Sequence, residues 1–435
     1  MNIRETRLAK LFYNLPGATS AYHFMWAWTG AAMYRHPSKN LFVIGVTGTK
    51  GKTTTLELIN AILEAAGKRT ALLSSLRVKV ADRTAKNRTG NSMPGRAYIQ
   101  NFLRSAARSK CEYALIEVTS QGVVAHRHRF IKWHMAVLTN LHPEHIESHG
   151  SYENYRNAKL SFLEYVFSGG GDVFLNRDAS EYPFFFEALT KGVPAREPVK
   201  CSKEDAFLKD CLPRIEEARA KGNAASGGFL LSDFNQENIA IAAAIARRLG
   251  IDDATIEEAI LNFKGVPGRM EFVRANGYTG VVDYAHTPES LEAAYRAVKP
   301  APTDGHPNPK LIAILGAAGG GRDKWKRAAM GAVAAKWCDE IILTDEDPYE
   351  EDPESIVDEI EKGIRSADPA KAARVMRVMD RAEAVRKAFE LARSGDVVIG
   401  TGKGSEEWIH VANNRRVPWS ERAAFEAAME EKMKA

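Results

Sequence analysis

The sequence predicts an α/β fold with mostly parallel sheets, divided into two domains behind a short apolar N-terminal segment. Short apolar runs that end in turn residues alternate with helical patterns, as in sheets covered by helices on both faces. A glycine-rich turn joins the first of these strands to the first long helix. Near residue 265 a Gly- and Pro-containing stretch interrupts the alternation, which then starts again. These observations predict segments of residues 1–40, 41–265 and 266–435.

The composition is that of a globular protein, with 45% hydrophobic and 26% charged residues among 435. The net charge of +5 is small for this length and no long Lys/Arg block occurs, so no nucleic-acid partner is expected. A modest positive charge is compatible with small substrates that carry phosphate. The four cysteines lack metal-site spacing, which indicates a reducing, cytoplasmic location.

The N-terminal segment is unusually apolar, since no Asp, Glu, Lys or Arg occurs from Leu11 to Tyr34. Pro16 and Gly17 interrupt this stretch and predict a short helix over residues 21–34. Two interpretations stay open, a helix packed on the following domain and a helix that lies on a membrane surface. A secretory signal is disfavoured, because a phosphate-binding motif that belongs in the cytosol follows at once.

The first domain opens with "LFVIGVTG", which predicts a buried strand, and "TTLELINAILEAAG", which predicts a helix. Further strands are predicted at "YALIEVTS", "MAVLTNL" and "GDVFLNRD", and a helix at "NQENIAIAAAIARRLG". Residues 195–228 are polar and mixed, and we expect part of them to form an exposed insertion. The second domain repeats the alternation, with strands at "GVVDYAH", "KLIAILGAAGGG", "EIILTDED", "ARVMRVM" and "DVVIGTGKG".

The turn after the first strand has the composition of a phosphate-binding loop and reads Gly48-Thr49-Lys50-Gly51-Lys52-Thr53, followed by Thr54. Glycines let backbone N–H groups approach phosphate oxygens, and the helix N-terminus adds partial positive charge. Lys52 can reach the β- and γ-phosphates of a nucleotide, and Thr53 can ligate Mg²⁺. The spacing departs from the general P-loop motif, because Val46 stands where that motif has its first glycine. We expect this loop to bind ATP.

Five motifs follow one another along the chain: "TGTKGKTT", "EVTS", "TNLHPEHIESHGSYENYRNAK", "DYAHTPESL" and "GAAGGGRDKWKR". In this order they closely resemble the Mur ligase family, the ATP-dependent amide ligases of peptidoglycan synthesis. "DYAHTP" and "GKGSE" resemble the subfamily of UDP-N-acetylmuramoyl-tripeptide synthetases, which add the third residue of the stem peptide. The resemblance runs from about Phe42 to the C-terminus. It implies a central P-loop ATPase domain, a C-terminal Rossmann-like domain and a muramoyl-peptide acceptor, and we expect a monomer.

The resemblance implies amide formation through an acyl phosphate, which requires Mg²⁺ and further cations around two anions. It makes Glu117 and His145 ligands of Mg²⁺ beside Thr53, and it makes Lys159 a carbamylated lysine that bridges to a second Mg²⁺. The expected catalytic residues are therefore Lys52, Glu117, His145 and Lys159.

A zinc site formed by His142, His145 and His149 is the alternative interpretation of this histidine-rich stretch. It is disfavoured, because hard oxygen groups and a nucleotide dominate the surroundings. The family motif usually has Asp before the metal-binding His, where this chain has Glu144.

Further nucleotide contacts are implied by three matching segments: Asn235 and Asn238 near the adenine, Asp283 and His286, and the phosphate-reaching Arg322. Arg269 falls at the predicted domain junction, where an arginine stabilises ligand charge only when the domains close.

Two departures from the family concern the acceptor. Residues 1–40 are too few for the complete uridine-diphosphate-binding domain, so we expect an acceptor whose nucleotide end is held weakly, or one that is not a UDP-sugar. The family's "EVSSH" becomes "EVTSQ", so Gln121 replaces a His beside Thr119 and Ser120. The substrate-contacting "TTP" becomes "SMP", in which Ser92 keeps a hydroxyl, and Arg96 can bind a carboxylate or phosphate.

A third departure concerns the incoming amino acid. The diaminopimelate-selecting motif "DNPR" reads "EDPY", so Tyr349 stands where an arginine would clamp the distal carboxylate. Glu346 and Asp347 instead favour a side chain that bears an amine, such as lysine or ornithine. The other residues expected to line this pocket are Lys403, Ser405 and Glu406.

Two alternatives to a cell-wall ligase stay open. One is a ligase of the folylpolyglutamate synthetase type, against which "DYAHTP" and "GKGSE" weigh. The other is a partner-dependent subunit that acts on a lipid-linked precursor, as in lipid-linked glutamate amidation. The zinc-ribbon cysteines expected of that amidating type are absent, and the retained catalytic set favours an active enzyme.

Overall fold

A computed structural model describes residues 18–434 apart from 145, 192–195, 221–226 and 304. It contains two compact units, one formed by Met1–Ala218 and Phe234–Phe263, the other by Arg219–Asp233 and Lys264–Ala435. Each unit holds a mostly parallel sheet with helices in its connections, so the predicted α/β fold class is confirmed.

The strands are numbered in chain order: β1 Phe42–Thr47, β2 Thr70–Leu73, β3 Arg77–Val80, β4 Arg83–Lys86, β5 Tyr113–Glu117, β6 Met135–Leu138, β7 Asp172–Asn176, β8 Val199–Cys201, β9 Glu271–Ala275, β10 Tyr278–Val282, β11 Leu311–Leu315, β12 Glu340–Leu343, β13 Met376–Arg377, β14 Val397–Gly400, β15 Trp408–Val411 and β16 Arg415–Pro418.

The helices are α1 Ala18–Met33, α2 Lys52–Ala65, α3 Arg96–Arg108, α4 Ser120–Val124, α5 Ile146–His149, α6 Tyr152–Ser168, α7 Tyr182–Thr190, α8 Ala206–Ala220, α9 Gly227–Leu230, α10 Asp233–Arg248, α11 Asp253–Leu261, α12 Pro288–Val298, α13 Lys326–Trp337, α14 Pro353–Ala367, α15 Pro369–Ala372, α16 Arg381–Leu391 and α17 Glu421–Lys434. A 3₁₀ turn covers Pro37–Asn40.

The sheet of the first unit has the order β4-β3-β2-β5-β1-β6-β7-β8. It is parallel from β2 to β8, and β3 and β4 add an antiparallel edge. Strand β1 lies between β5 and β6, and its Val46 is in register with Glu117. Because carboxyl ends of parallel strands meet at one sheet edge, the loops after β1, β5 and β6 lie together there.

Close packing on β1 fixes the position of this edge. Its residues from Val43 to Thr47 are fully buried, as expected for a strand with helices on both faces. A side chain at Gly45 would lie 2.6 Å from the Phe162 ring and 2.7 Å from the Trp133 ring. Both aromatic rings therefore pack directly on the strand backbone, and Phe162 joins α6 to the sheet.

The sheet of the second unit has the order β13-β12-β11-β14-β10-β9 and is parallel except for β9. Its strands β11 and β14 lie in the middle and are almost completely buried. Strands β15 and β16 form a separate antiparallel hairpin. The loops after β10, β12 and β14, which contain most of the predicted residues of this unit, all leave the carboxyl edge of the sheet.

The predicted strands and helices are all present, and the differences lie in polar segments. The stretch of residues 195–228 includes β8 and α8 in addition to undescribed residues, and Leu208 and Ile215 of α8 are fully buried. Helix α8 is therefore amphipathic: its apolar positions pack inward, whereas charged positions such as Asp210 and Glu216 are exposed, which agrees with the expectation that part of this stretch is exposed. Within the part of the chain that the structure describes, no helix is both long and apolar enough to cross a membrane.

Candidate active site

The phosphate loop adopts a conformation that requires glycine at two positions. Gly48 has φ 145° and Gly51 has φ 81°, both in the region that side chains disfavour. A Cβ at Gly48 would lie 1.9 Å from the Thr139 hydroxyl oxygen, so the loop backbone lies directly against the end of β6. Gly51 caps α2 without a side-chain hydrogen bond, which leaves the first N–H groups of that helix for a ligand.

Two lysine ammonium groups converge on this loop. Lys52 Nζ donates to the carbonyl oxygens of Gly48 at 3.1 Å and Thr49 at 2.9 Å. Lys159 Nζ, from α6, donates to the same Gly48 oxygen at 2.8 Å. A bound anion would be a better partner for these cations than a carbonyl oxygen, because a full negative charge attracts an ammonium group more strongly than a carbonyl dipole does.

Thr53, at the start of α2, faces the carboxylate at the end of β5. Its hydroxyl donates to Glu117 Oε2 at 3.0 Å, and the same carboxylate oxygen accepts from the Ser75 backbone N–H at 2.9 Å. The Ser75 hydroxyl lies 3.0 Å from the Thr53 hydroxyl. Thr53 and Glu117 are buried, and together with Ser75 they form a cluster of hard oxygen ligands at the edge of the loop.

Lys159 is 2% exposed and lies near the ammonium group of Lys52 and the carboxylates of Glu144 and Glu117. Burial, with the nearby Lys52 charge adding to it, holds the pKa of Lys159 well below its usual range. Its ammonium nitrogen lies 4.6 Å from the centre of the Tyr155 ring. The Tyr155 hydroxyl lies 2.8 Å from the Thr49 hydroxyl, so this tyrosine connects α6 to the phosphate loop.

His145 lies outside the described residues. Its neighbour Glu144 is buried and pairs with Lys50 of the loop at 3.2 Å. His149, the third histidine of this stretch, has its Nε2 atom 3.0 Å from the Ser120 hydroxyl. Among the described residues no group of three His, Cys, Asp or Glu side chains is arranged to hold a metal.

The groups at the loop fit a magnesium nucleotide. Mg²⁺ binds through a few carboxylate and hydroxyl ligands together with substrate phosphates, and Thr53 and Glu117 provide such oxygens next to the helix N-terminus. The glycine backbone at Gly48 and Gly51, with Lys52, suits the triphosphate. Mg²⁺ would be held by Thr53 and Glu117.

Asn235 and Asn238, expected near the adenine, lie behind the loop in the structure. The Asn238 side-chain oxygen accepts from the Thr55 hydroxyl at 3.1 Å, and a Cβ at Gly51 would lie 2.4 Å from that oxygen. Asn235 in turn accepts from the Asn238 amide at 2.9 Å. These contacts connect α10 to the start of α2 and fix the conformation of the loop.

The residues expected at the acceptor side are only partly described. Thr119 caps α4 by accepting from Gly122 N–H at 3.1 Å, and Ser120 makes the contact with His149 given above. Gln121 donates to the Ser148 hydroxyl at 3.2 Å, which joins α4 to α5. Ser92 is half-buried, and the side chain of Arg96 lies outside the described part of the chain.

In the second unit, the two acids of the "EDPY" motif lie in different environments. Asp347 accepts from the Lys403 ammonium at 2.9 Å and from the His410 backbone N–H at 2.7 Å. Lys403 is completely buried and also donates to Glu406 at 2.7 Å. Asp347 and Lys403 thus form an internal ion pair, and the partly exposed Glu406 carboxylate is the second ion-pair partner of Lys403.

Glu346 is 4% exposed, and its Oε2 atom has no hydrogen-bond partner among the described residues. A Cβ at Gly402 would lie 2.1 Å from that oxygen, so the carboxylate lies against the turn after β14. Burial raises the pKa of Glu346 to about 7. The Tyr349 ring stacks on the His410 ring, with ring centroids 5.0 Å apart. Ser405 lies in the turn after β14, where its backbone nitrogen would be 2.1 Å from a Cβ built at Gly268.

The "DYAHTP" segment after β10, which was predicted to contact the nucleotide, is fixed by hydrogen bonds within the turn. The Asp283 carboxylate accepts from Met270 and Ala285 N–H groups, each at 2.7 Å, and therefore fixes the turn. His286 Nδ1 lies 2.8 Å from the Tyr284 carbonyl oxygen, and the Arg269 guanidinium stacks 4.0 Å from the centre of the Tyr284 ring. Arg322, in the loop between β11 and α13, is exposed.

Three residues of the site were not predicted as such: Ser75, Thr139 and Tyr155. Thr139 and Tyr155 stand inside one of the motifs that carry the family resemblance, and this membership was the available signal. Ser75 follows β2, a strand that the sequence analysis did not predict, so no signal in the sequence marked it.

The fold and the loop define a nucleotide-dependent enzyme of the P-loop class with a second α/β unit. Residues 46–246 match the model of the Mur ligase middle domain, and residues 268–404 match that of the Mur ligase glutamate ligase domain. The chain therefore belongs to the Mur ligase family, as the motifs predicted. Members of this family are ATP-dependent amide ligases that add amino acids to muramoyl peptides, and this chain is such an acid–amino-acid ligase.

Individual relatives agree with this assignment. The chain is 35% identical over 420 residues to a UDP-N-acetylmuramyl-tripeptide synthetase of Roseiflexus sp. strain RS-1, covering 92% of this chain and 81% of the relative. It is 33% identical over 385 residues to the UDP-N-acetylmuramoyl-L-alanyl-D-glutamate–2,6-diaminopimelate ligase of Syntrophomonas wolfei, covering 87% and 76%.

Solved structures show the same fold. A UDP-N-acetylmuramoyl-L-alanyl-D-glutamate–2,6-diaminopimelate ligase matches with a TM-score of 0.59 and 25% identity, covering 93% of this chain and 82% of the other. A bifunctional folylpolyglutamate synthase/dihydrofolate synthase from Yersinia pestis, complexed with AMPPNP and a Mn ion, matches with a TM-score of 0.58 and 17% identity over 87% and 90%. The second likeness concerns the fold alone.

Proposed function

We propose that this chain uses ATP and Mg²⁺ to join a lysine-like amino acid to the carboxyl group of a muramoyl-peptide acceptor. The observation that carries the ATP site is the Thr53–Glu117 contact at the phosphate loop, where Lys52 and Lys159 add two cations. An arrangement of hard oxygens and cations around a glycine-rich loop suits phosphoryl transfer, in which catalysis consists of positioning and charge stabilisation.

The proposed reaction has two steps that balance. In the first, an oxygen of the acceptor carboxylate attacks the γ-phosphorus of ATP, the bond to the β-phosphate oxygen breaks, and ADP leaves with that electron pair. In the second, the amino acid nitrogen attacks the acyl carbon, loses a proton, and expels inorganic phosphate. Phosphorylation turns a poor leaving group into a good one, which is why ATP is consumed.

Within this chain, Lys52 is positioned to balance charge on the β- and γ-phosphates once it leaves its carbonyl partners. Backbone N–H groups at the start of α2 contact the phosphates and orient them for in-line attack. Thr53 and Glu117 would hold Mg²⁺, which when bound neutralises charge on the transferred group. His145 is proposed as a further ligand from the family resemblance.

We assign Lys159 the role of the carbamylated lysine. Only a neutral amine adds CO₂, and burial beside Lys52 favours the neutral amine of Lys159. Addition of CO₂ to the neutral amine forms an N–C bond and releases one proton, which gives the buried side chain a negative charge. An anion beside Gly48 would then serve as an additional ligand for Mg²⁺ rather than repel Lys52.

The preference for a lysine-like amino acid rests on Glu346. Because Asp347 already pairs with Lys403, Glu346 provides the carboxylate that a substrate ammonium group would meet. Many relatives are diaminopimelate ligases by name, but this chain has Tyr349 at the arginine position of the diaminopimelate motif. Tyr349 stacks on His410 and offers no cation to a second carboxylate.

The acceptor is proposed to be lipid-linked rather than UDP-linked, with peripheral membrane contact through residues 21–34. The apolar helix α1 supports this part of the proposal. Since ATP is the phosphate donor, the enzyme is proposed to work in the cytoplasm.

The test is phosphate release from ATP across a matrix of lysine, ornithine and diaminopimelate against UDP-linked and lipid-linked muramoyl peptides. We expect release only when acceptor and amino acid are both present, with lysine or ornithine above diaminopimelate. The variant Tyr349→Arg should shift the preference toward diaminopimelate, whereas Tyr349→Phe should leave it unchanged. Diaminopimelate far above lysine in the unmodified protein would contradict the proposed specificity.

A further inference from the structure

Helix α1 presents an apolar face to solvent. Its residues Ala27, Gly30 and Ala31 are buried against the rest of the first unit, while Met25 and Trp28 on the opposite face are 53% and 52% exposed. The helix contains no Asp, Glu, Lys or Arg on any face. A solvated helix face of an ordinary globular protein is polar, so exposed Trp and Met side chains without charges mark an interaction surface.

Next to the end of this helix lies a cavity of about 350 Å³ lined by Met33, Tyr34, Asn101 and three arginines, Arg35, Arg104 and Arg108. None of the three guanidinium groups has a carboxylate partner within the described part of the chain. Arginines that surround one cavity without acids repel each other, and a phosphate group would neutralise them through bidentate hydrogen bonds.

An apolar cavity of about 260 Å³ adjoins the cationic one, and both are lined by Met33. Trp26 and Tyr98 contribute aromatic rings to its wall. A ligand that fills both cavities must combine an anionic phosphate group with an apolar chain. The surface formed by Trp26, Met33, Tyr98 and the three arginines is called the anchor surface below.

The segments that build the anchor surface carry positive charge without any acid. No Asp or Glu occurs between Glu5 and Glu57, and none between Asp82 and Glu112. Since the chain as a whole has 55 acidic and 60 basic residues, these two acid-free stretches concentrate the positive charge locally. Such a surface is complementary to the negative face of a membrane that contains anionic phospholipid.

We propose that the anchor surface binds anionic phospholipid in a bilayer, with α1 in the interface and the arginine cavity on lipid phosphates. Tryptophan and tyrosine rings are favoured at the level of the lipid headgroups, and Arg35, Arg104 and Arg108 lie beside them at the same end of α1. This inference deepens the proposed function, because it would place the enzyme where a lipid-linked acceptor is found.

The test is co-sedimentation of the full chain with vesicles of phosphatidylcholine alone or mixed with phosphatidylglycerol, measured without ATP or acceptor. We expect pelleting with the mixed vesicles, a decrease of the pelleted fraction with added salt, and a blue shift of tryptophan fluorescence. The double variant Arg104→Gln/Arg108→Gln should lower the partition coefficient about 30-fold, from the usual contribution of two arginines near an anionic surface.

Matched control variants remove two arginines or one tryptophan from the second unit. Arg415 and Arg416 are exposed, so Arg415→Gln/Arg416→Gln removes the same charge and should leave vesicle binding unchanged. Trp26→Ser, at a cavity residue that is 48% exposed, should weaken binding, whereas Trp325→Ser, at a residue that is 50% exposed, should not.

Three results would overturn the proposal. The first is failure of the full chain to pellet with mixed vesicles. The second is an equal loss of vesicle binding in both arginine double variants. The third is displacement of the protein from vesicles by monomeric short-chain phosphatidylglycerol or inorganic phosphate at matched charge. The last would identify a pocket for one soluble phosphate ligand instead of a bilayer. ATP hydrolysis that depends on acceptor and amino acid is measured separately, so failure of membrane binding leaves the ligase assignment intact.

Discussion

The Thr53 hydroxyl donates a hydrogen bond of 3.0 Å to the Glu117 carboxylate, and this contact joins the first turn of α2 to the carboxyl end of β5. The two residues are 64 positions apart in the chain and meet because β1 and β5 are parallel neighbours in register. Sheet topology therefore brings the two proposed metal ligands together at the phosphate loop.

The variant Glu117→Gln keeps the shape of the side chain but removes its charge. We expect turnover to fall about 10²- to 10³-fold, because one preorganised electrostatic contact to the transition state is lost. The Mg²⁺ concentration for half-maximal rate should rise as well, as measured by phosphate release during a Mg²⁺ titration. Glu112→Gln, at an exposed position just before β5, is the control and should titrate as the unmodified protein does. Equal Mg²⁺ curves for Glu117→Gln and the unmodified protein would remove Glu117 from the metal site.

The variant Lys159→Met tests the carbamate. Its turnover should fall about 100-fold or more, since a charged group next to the phosphates is lost, and bicarbonate should not restore it. The pKa of Lys159 is lowered by folding, so protonated Lys159 favours the unfolded chain at neutral pH, and methionine removes that cost. Thermal unfolding at pH 7 should therefore show no loss of stability. A ¹³C signal of a carbamate after incubation with ¹³CO₂, absent from the variant, is the direct measurement; near-normal turnover of Lys159→Met would refute the assignment.

Lysine affinity should depend on pH through Glu346. Four charged groups face this carboxyl: Arg381 and Lys403 lower its pKa, Asp347 and Glu406 raise it, and burial dominates with a resulting pKa of about 7. The KM for lysine should fall as pH rises from about 6 to 8, because the ionised carboxylate binds the ammonium group. In Glu346→Gln the KM should be higher and nearly independent of pH over this range, while the KM for ATP stays unchanged. The same pH profile in both proteins would exclude Glu346 from the amino acid site.

Stability should report the same titration with a defined sign. The folded pKa of Glu346 lies above the ordinary value of 4.5, so the folded state binds the extra proton between about pH 4.5 and 7. The contribution of this group is therefore most favourable at low pH and is lost as pH rises through 7. Relative to the unmodified protein, Glu346→Gln should gain stability at pH 8 compared with pH 5, as measured by urea unfolding. A constant difference would mean that the carboxyl is not buried as described.

The ion pair of Arg381 and Glu421 should be the main polar contribution to the stability of the second unit. Its two nitrogen–oxygen contacts are both 2.8 Å long, and the side chains are 1% and 0% exposed. Arg381→Met leaves a buried, unpaired carboxylate and should cost about 3–5 kcal/mol in urea unfolding. Arg422→Met, which removes the surface pairs of this half-exposed arginine with Glu271 and Glu426, should cost about 1 kcal/mol or less. Similar losses of unfolding free energy for the two variants would show that burial does not determine how much an ion pair contributes to stability.

The sequence predicted the fold where strands are buried on both faces. Strands such as β1 and β11 read as continuous apolar runs, because helices cover them on both sides. Polar edge strands escaped prediction, since β4 "RTAK" and β16 "RRVP" are exposed at every position and show no apolar pattern.

The candidate site was predictable where the motif and the contact lie in one segment. The loop residues Gly48–Thr53 are of this kind, because local glycine and helix-terminus chemistry determines what they bind. The pairing of Asp347 with Lys403 was not predictable, since it depends on two strand ends that meet only in the folded sheet. For the same reason the sequence did not distinguish Asp347, which pairs with Lys403, from Glu346, whose Oε2 atom has no hydrogen-bond partner among the described residues.

The most direct test of the proposed acyl-phosphate mechanism follows a carboxyl oxygen of the acceptor into the released phosphate. The acceptor muramoyl peptide, labelled with ¹⁸O in the carboxyl group to be joined, is incubated with ATP, Mg²⁺ and lysine, and the released phosphate is analysed by mass spectrometry. Each phosphate released should carry one ¹⁸O atom, because the acyl phosphate passes the carboxyl oxygen to phosphorus. Phosphate without the label, or phosphate released at the same rate without acceptor, would contradict an acyl-phosphate mechanism.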